Sequence, residues 1–337
     1  MTTPLRVAYL LEDTTLSGGN RVVIAQADSL IDRGHTVHIF TRGEALSWRA
    51  SRAEWVHLAD FASADLSSFD AVVATFWTTV EPAWRKAPGR VLHLCQGLEF
   101  TFEVYATAAP RIEAVYRLPI PKLTVSPHLR APLERFGSEV LAVSQIVDEE
   151  FYRSGRGVEH DPLRVLLPGA SQIDIKGIDV GYDAALHARA MGSAFELVRV
   201  SPWAPSPAEP KEAAAEFHVE LNTAAMVRLI HSCDLAIVPS RKEEGFGLPA
   251  AEAMAAGLPV ILSEIPSFLA FDSASRDYAL WAKEDDGIGM GEELMRLLED
   301  PELRNDLSRR GREVVEQYRG ANAGRQLEEH LRRASGG

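Results

Sequence analysis

Two glutamates, Glu244 and Glu252, stand on either side of a glycine turn and are the residues best suited to chemistry. The turn, Gly245–Gly247, follows a short apolar run that reads as a buried strand, and Pro249 stands where a helix should begin. A strand, a glycine turn and a helix N-terminus together direct backbone N–H groups and the helix dipole at an anion such as phosphate. We therefore predict that this segment binds a nucleotide sugar, whose hydroxyl groups the two carboxylates hold.

The surrounding string, Arg241–Pro259, reads RKEEGFGLPAAEAMAAGLP and resembles the E-x7-E signature of GT-B glycosyltransferases, in particular the retaining family 4. The resemblance implies an α/β fold of two Rossmann-like, doubly wound parallel-sheet domains with a cleft between them. It also implies an enzyme that moves a sugar from a nucleoside diphosphate sugar to a hydroxyl acceptor, with retention at the anomeric carbon. In such an enzyme Glu252 binds the ribose, and the catalytic Glu244 holds a donor-sugar hydroxyl. The donor would also contact the turn, at Gly245, Phe246, Gly247 and Leu248.

The diphosphate of such a donor needs cations, and the sequence departs from the family here. The segment Gly169–Gly177 resembles a family loop in which an Arg follows the first Gly and a Lys comes five or six residues later. Lys176 matches that Lys, but Ala170 stands where the Arg belongs. We predict that Arg199, expected at the end of the next strand, replaces it, with Lys242 as the second choice. Lys176 and Arg199 are thus predicted catalytic residues, although Arg199 and Lys242 could equally be solvated surface cations.

Two loops in the first half of the chain carry further candidates. Ser17–Asn20 lies between a predicted strand and helix, and it resembles the family loop in which Gly18 and Gly19 face the donor diphosphate. Gln96 occupies a position where many family 4 enzymes have a His, and an amide cannot act as a general base. We predict that Gln96 and Glu99 orient hydroxyl groups of the sugar or the acceptor.

The first half of the chain alternates apolar strands with amphipathic helices, which predicts a parallel sheet covered on both faces. The predicted strands are Leu5–Leu11, Thr36–Phe40, Trp55–Leu58, Ala71–Thr75, Val91–Cys95, Lys122–Val125 and Val140–Val143. The predicted helices are Asn20–Asp32, Phe102–Tyr116 with a break at Pro110, and Pro127–Phe136. Trp77 is expected in a loop that borders the acceptor.

The pattern loosens near residue 145 and becomes regular again at Leu163, which predicts two domains. Residues 1–145 form the first predicted domain, 146–162 form a linker that includes the glycine-rich stretch Arg153–Gly157, and 163–315 form the second predicted domain. The resemblance implies that the first domain is the acceptor side and the second is the donor side. The resemblance implies that the last segment, 316–337, is a helix that packs back on the first domain.

Composition excludes several other classes of protein. The chain of 337 residues has a formal net charge of −13, divided as −3 over residues 1–160 and −10 over the remainder, so neither half predicts a nucleic-acid-binding surface. Any peripheral membrane contact should fall to the less acidic N-terminal domain. The sequence shows no signal peptide and no transmembrane run. Cys95 and Cys233 read as buried thiols, which favours the cytoplasm, including the inner face of the membrane.

Two alternative functions stay open from the sequence. Ala170 and Gln96 would also suit a non-catalytic sugar-nucleotide-binding protein of the same fold. Another GT-B enzyme, such as a sugar phosphorylase or a nucleotide-sugar epimerase, is the second alternative. The sequence contains no apolar-flanked D-x-D, so no metal and no other cofactor is expected. The donor sugar, the base, the acceptor, the linkage and the oligomeric state cannot be read from it.

Overall fold

The computed structural model describes residues 3–152 and 159–336, which form two compact units. Unit 1 contains the residues up to Ile146 together with those from Gly320 onward, and unit 2 contains Val147–Arg319. Each unit is built on its own parallel sheet, which confirms the predicted α/β class. No helix in this described part of the chain is long and apolar enough to cross a membrane.

Unit 1 contains a seven-stranded sheet in which α-helices connect most of the successive strands. Its strands are β1 (Arg6–Leu11), β2 (Thr36–Thr41), β3 (Glu54–His57), β4 (Ala71–Ala74), β5 (Val91–Cys95), β6 (Lys122–Thr124) and β7 (Val140–Ala142). The helices that precede unit 2 in the chain are α1 (Gly18–Asp32), α2 (Trp77–Lys86), α3 (Ala109–Tyr116) and α4 (Arg130–Glu134). All neighbouring strands pair in parallel.

The strand order of unit 1 is β3-β2-β1-β4-β5-β6-β7, so the order reverses between β1 and β4. The loops after these two strands leave in opposite directions, which opens a crevice at the carboxyl edge of the sheet, where α/β proteins bind ligands. The central strands are predominantly apolar and buried, as sheets covered on both faces require. Val7, Tyr9 and Leu10 of β1 are fully buried, as is every residue of β4. The Ser17–Asn20 loop follows β1 at this edge.

Unit 2 contains a six-stranded parallel sheet of the same type. Its helices are α5 (Glu149–Tyr152), α6 (Ile178–Ala190), α7 (Thr223–His231), α8 (Leu248–Ala255), α9 (Pro266–Leu269), α10 (Gly287–Glu299) and α11 (Pro301–Val315). Its strands are β8 (Leu163–Pro168), β9 (Phe195–Ser201), β10 (Glu216–Val219), β11 (Leu235–Val238), β12 (Val260–Ser263) and β13 (Leu280–Ala282). The order β10-β9-β8-β11-β12-β13 reverses between β8 and β11. The loops after β8 and β11 therefore flank the ligand-binding position of this sheet.

The last helix, α12 (Gly320–Ala334), belongs to unit 1 although it follows unit 2 in the chain. It packs against α1, β4 and β5, and it buries Ala323, Leu327 and Leu331. Its Glu328 carboxylate accepts a hydrogen bond of 2.6 Å from Arg33, which directly follows α1. The spacing of the three apolar residues, four apart, gives one buried face of an amphipathic helix.

Three segments differ from the sequence-based prediction. Trp77 begins helix α2 instead of lying in a loop, and the helix continues through Pro82. In the segment Phe102–Tyr116 only α3 is an α-helix, because Pro110 suits the first turn of a helix better than its interior. Of the predicted linker, Glu149–Tyr152 forms a short helix within unit 2, and the glycine-rich stretch predicted at 153–157 lies outside the described residues.

Candidate functional site

Strand β11 ends at Val238, and the chain then forms the loop that carries Glu244 before helix α8 begins at Leu248. Gly247 caps the helix with φ of +91°, and a Cβ atom there would lie 2.2 Å from the Phe268 ring. Only glycine fits this position, because an L side chain would be strained and would collide with the ring. The turn therefore brings the chain tightly into α8, whose first backbone N–H groups have no partner within the helix.

Lys176 and Glu244 are brought into direct contact, although 68 residues separate them in the sequence. The Lys176 Nζ donates to Glu244 Oε2 at 2.6 Å, and the Ser240 hydroxyl donates to the same oxygen at 3.1 Å. The two side chains are 23% and 11% exposed, so the pair lies at the surface of the edge yet is largely shielded from water. Shielding of this kind strengthens the attraction between the charges. The sequence predicted both residues for one site, and the structure brings them together.

Glu252 lies in the middle of α8 and is 1% exposed. A carboxylate at this depth is costly to desolvate, so its position on the helix next to the glycine turn calls for polar interactions that offset the cost. Phe246, Gly247 and Leu248 are buried as well, which leaves their backbone groups and not their side chains as the means of binding a ligand. Gly245 is also buried in the same turn.

Arg199 is not placed to bind phosphate, contrary to the prediction that it replaces the arginine absent at Ala170. Strand β9 runs to Ser201, so Arg199 lies inside the strand and its side chain is fully buried. Its Nε donates to Glu209 at 2.8 Å, and its terminal nitrogens donate to the carbonyls of Leu167 and Gly169. The guanidinium therefore supports the main chain of the loop after β8 instead of facing a ligand. We assign it a structural role.

The other two basic residues near the Glu244 loop differ from each other. Lys242, the second choice from the sequence, has an exposed side chain, and its backbone N–H donates to Glu284 at 2.9 Å. Its ammonium group is therefore accessible at this edge. Arg241, which sequence reasoning did not single out, is 15% exposed and forms ion pairs with three aspartates. No pattern in the sequence predicts these ion pairs, because the aspartates lie 44 to 67 residues away from Arg241.

In unit 1 the predicted glycine loop and Gln96 lie together at the carboxyl edge. Gly18 and Gly19 are the first two residues of α1, and the Ser17 hydroxyl caps the helix by accepting from Asn20 N at 3.2 Å. The Gln96 side chain donates to the Gly19 carbonyl at 3.2 Å. A Cβ atom on Gly19 would lie 3.3 Å from the Gln96 amide, so the close approach favours glycine.

Glu99 does not lie beside Gln96 at this edge, because its side chain is buried. It is 5% exposed, and its carboxyl group accepts a hydrogen bond from the Tyr116 hydroxyl. Burial raises the pKa of Glu99 to about 7, against the opposing effect of the Tyr116 hydrogen bond. His93 packs edge-on against Tyr116, and burial lowers its pKa to about 3. This cluster belongs to the core, and it does not present Glu99 to a ligand as predicted.

The described residues contain two buried free cysteines, Cys95 and Cys233, as predicted. Over residues 3–152 and 159–336, no group of three or more His, Cys, Asp or Glu side chains is arranged to hold a metal ion.

Comparison with known proteins finds a family match in the part of unit 2 that carries the two glutamates. Residues 208–314, which include Glu244 and Glu252, match the family model described as "Glycosyl transferases group 1". One curated relative is 33% identical over 93 residues, the N,N'-diacetylbacillosaminyl-diphospho-undecaprenol alpha-1,3-N-acetylgalactosaminyltransferase of Campylobacter jejuni. The match covers 28% of this chain and 24% of the length of that relative.

Solved structures resemble the chain over nearly all of its length. Anabaena HepE in complex with UDP-glucose has a TM-score of 0.79 at 12% identity, and the likeness covers 98% of this chain and 100% of that one. Sucrose-phosphate synthase from Thermosynechococcus elongatus has a TM-score of 0.76 at 17% identity, with 98% of both chains covered. WaaG, a glycosyltransferase involved in lipopolysaccharide biosynthesis, has a TM-score of 0.72 at 16% identity over 98% of this chain and 100% of that one. These likenesses establish the GT-B fold.

Proposed function

We propose that the chain is a glycosyltransferase that moves a sugar from a nucleoside diphosphate sugar to a hydroxyl acceptor, with retention at the anomeric carbon. The observation that carries the proposal is the contact between Lys176 Nζ and Glu244 Oε2, 2.6 Å apart, beside the N-terminus of α8. The family match to residues 208–314 supports the transferase class. The HepE structures hold UDP, glucose or UDP-glucose, which supports a uridine nucleotide as the first donor to test.

In this proposal the diphosphate lies at the start of α8. Backbone N–H groups of Phe246, Gly247 and Leu248 and the helix dipole stabilise its charge, and Lys176 supplies a mobile cation. When the bond to the sugar breaks, negative charge grows on the bridging oxygen, and donors fixed in advance stabilise that charge most effectively. Lys176 would then exchange its hydrogen bond with Glu244 for one with the phosphate. The released Glu244 carboxylate holds a hydroxyl of the donor sugar.

Glu252 binds the ribose hydroxyls in this scheme, because α8 carries it on the same element as the phosphate-binding turn. On the side of unit 1, Gly18, Gly19 and Gln96 are the groups that we propose to contact the donor or the acceptor. Glu99 is left out of the site because its carboxyl group is buried against Tyr116.

Retention follows most simply from a same-face mechanism, in which the leaving phosphate takes the proton of the acceptor hydroxyl. A double displacement needs a carboxylate on the opposite face of the sugar ring. Gln96 cannot serve as such a nucleophile or as a base, and Glu99 is engaged in the core. We propose that the reaction is metal-independent, since Lys176 and helix α8 supply the charge stabilisation that a cation would otherwise provide.

The acceptor is a hydroxyl group on a glycan, a lipid-linked sugar or a small molecule. The curated relative is named for a reaction on a diphospho-undecaprenol-linked sugar, which makes a lipid-linked sugar a reasonable first acceptor to test. Such an acceptor would require peripheral membrane contact, which we assign to unit 1. Both cysteines are buried free thiols, consistent with a location in the cytoplasm.

A screen of nucleotide sugars tests the proposal. A donor that binds the native protein raises its melting temperature by mass action, by an amount that depends on ligand concentration relative to Kd. We expect a shift with at least one UDP-, GDP- or ADP-sugar, and release of the nucleotide from the same donor. No shift and no turnover across the panel would refute the function. A shift without turnover would favour the non-catalytic binding protein, and turnover that depends on phosphate would favour a phosphorylase.

A further inference from the structure

Arg241 belongs to the loop that carries Glu244 and contacts the loop that carries Lys176. Its backbone N–H donates to the Ile175 carbonyl at 2.8 Å, one residue before Lys176. Its own carbonyl accepts from the Glu244 N–H at 2.9 Å. A single residue of main chain therefore joins the neighbour of the lysine to the glutamate itself. Any displacement of Arg241 changes the distance between the two side chains.

The Arg241 side chain strengthens the same connection and extends it. One terminal nitrogen donates to the carbonyl of Asp174 and, at 2.9 Å, to its carboxylate. The other donates to Asp179 in the first turn of α6 at 2.7 Å. The Nε donates to Asp285, in the loop between β13 and α10, at 2.7 Å. The guanidinium thus holds three segments from the carboxyl edge of the sheet in one arrangement.

The burial of this cluster shows that it is an internal support. Arg241 is 15% exposed, whereas its three aspartate partners are 57% to 80% exposed, so the cation lies inside and the anions outside. Burial alone would lower the pKa of Arg241, but the hydrogen bonds that it donates to Asp179 and Asp285 outweigh burial and raise the pKa. Each nitrogen of the guanidinium already donates to a protein oxygen. Arg241 is therefore not disposed to bind a diphosphate itself.

The two loops are also in close contact next to this cluster. Gly177, directly after Lys176, has φ of +56°, and a Cβ atom there would lie 2.1 Å from the carbonyl oxygen of Pro239. The two loops are in backbone-to-backbone contact at this point. This contact and the Arg241 cluster hold the main chain on both sides of Lys176.

We propose that Arg241 is a positioning residue that holds Lys176 and Glu244 beside each other, so that the ammonium lies within reach of both the carboxylate and the donor phosphate, and thereby sets the rate of the reaction under "Proposed function", on which this inference rests. It acts through Lys176 and Glu244 and touches neither the donor nor the acceptor. A misplacement of catalytic groups by about 1 Å costs on the order of 10²-fold in rate. That is the effect expected when the guanidinium is removed.

Arg164 provides a matched control in the same unit. It is 13% exposed and pairs with Glu196 and Glu216 at 2.9 and 2.8 Å, so its burial and partners resemble those of Arg241. It lies at the beginning of β8, at the opposite edge of the sheet from the Lys176 loop. Arg164→Gln should therefore lower stability as Arg241→Gln does and leave turnover of the folded protein unchanged.

The first experiment compares kcat and the donor KM of Arg241→Gln, Arg241→Lys and Arg164→Gln at a temperature where all three are folded. We expect Arg241→Gln to lower kcat by about 10²-fold with a smaller change in KM. Arg241→Lys should lose most of the same activity, because an ammonium restores the charge without the forked set of hydrogen bonds. Wild-type activity in Arg241→Lys would show that charge alone matters and would overturn the proposal, as would equal losses of kcat in Arg241→Gln and Arg164→Gln.

The second experiment requires no activity, so it separates this inference from the proposed function. The sequence has six lysines, few enough for each 13C-methylated amine to be assigned by NMR. In the wild-type background, Glu244→Gln should shift the Lys176 signal, because the two groups are in contact. In the Arg241→Gln background the same substitution should shift it much less, whereas in Arg164→Gln the full shift should remain. An undiminished shift in Arg241→Gln refutes the positioning role even if the protein proves to be inactive on every donor.

Discussion

Glu99 in unit 1 and Glu244 in unit 2 occupy similar places and have different properties. Each follows a parallel strand near the carboxyl edge of its sheet, and each residue is less than 10% exposed. Glu99 is bound by the neutral hydroxyl of Tyr116, and burial raises its pKa to about 7. Glu244 is bound by the Lys176 ammonium and the Ser240 hydroxyl. The partners differ in kind, since the Tyr116 hydroxyl holds Glu99 in the core, whereas the Lys176 ammonium holds Glu244 at the edge of the sheet.

Removal of the Lys176 ammonium should abolish this difference between Glu99 and Glu244, and we expect it to have the largest effect on activity. In Lys176→Ala, Glu244 loses the hydrogen bond from the ammonium and retains the one from the Ser240 hydroxyl. The leaving diphosphate also loses its cation. We expect kcat to fall by about 10²- to 10³-fold, the usual cost of losing one preorganised donor to a developing anion. Donor turnover by purified variants measures it. Lys242→Ala is the control, and a larger loss in Lys242→Ala than in Lys176→Ala would exchange the roles of the two lysines.

The pH dependence of stability tests the description of Glu99, the other glutamate in this comparison. The folded-state pKa of Glu99 is about 7, above the ordinary value for a glutamate, so the folded protein holds this proton at pH values where the unfolded chain has released it. Between about pH 4.5 and 7 the unfolded state therefore gains stability relative to the folded state. The destabilisation is absent below that window, grows through it and is complete above pH 7, with a total of about 3 kcal/mol.

Glu99→Gln should remove this contribution, because an amide does not titrate in this range. Chemical denaturation at pH 5 and pH 8 measures it as the change in unfolding free energy between the two values. We expect the wild type to lose more stability than Glu99→Gln as the pH rises. If the two proteins lose the same amount, Glu99 is not protonated in the folded state and the contrast with Glu244 fails.

The smallest effect should separate Glu244 from its neighbour Glu252. Glu252→Gln removes a charged hydrogen-bonding group proposed to bind the ribose and should weaken nucleoside diphosphate binding by about 1.5–3 kcal/mol. Glu244→Gln should weaken that binding less and lower kcat more, because Glu244 is proposed to contact the transferred sugar. Calorimetric titration with UDP, followed by donor turnover, distinguishes the two. Equal losses of UDP affinity in both variants would contradict the assignment.

Much of the fold could be predicted because each unit alternates buried strands with amphipathic helices. The ends of strands were harder to predict, as Arg199 shows. The sequence predicted that the strand ends at Arg199, but β9 continues to Ser201. A charged residue inside a parallel strand is possible only because Glu209 and the carbonyls of Leu167 and Gly169 surround it. A contact that depends on how the loop of Glu209 folds back leaves no periodic signal in the sequence.

In the candidate site, too, some residues could be predicted from the sequence and others could not. Glu244, Glu252 and Lys176 were identified through a resemblance carried by local strings, and the structure brings Lys176 and Glu244 together. Arg241 was passed over, since its three aspartates are distant in sequence and meet only where loops converge at one edge of the sheet. Glu99 was assigned to the site because it follows a strand, but its side chain turns into the core toward Tyr116. Position along a strand predicts the edge and not the direction of a side chain.

The position of α12 has a consequence for the order in which the protein is synthesised. Unit 2 is one continuous stretch, and the segments that enter and leave it run side by side, because Val147 N–H donates to the Tyr318 carbonyl at 3.0 Å. Unit 1 is interrupted, and the helix that covers part of β4 and β5 emerges from the ribosome only after all of unit 2. Unit 2 can therefore complete its core during translation, whereas the apolar surface that Leu327 and Leu331 cover stays open until α12 has been made.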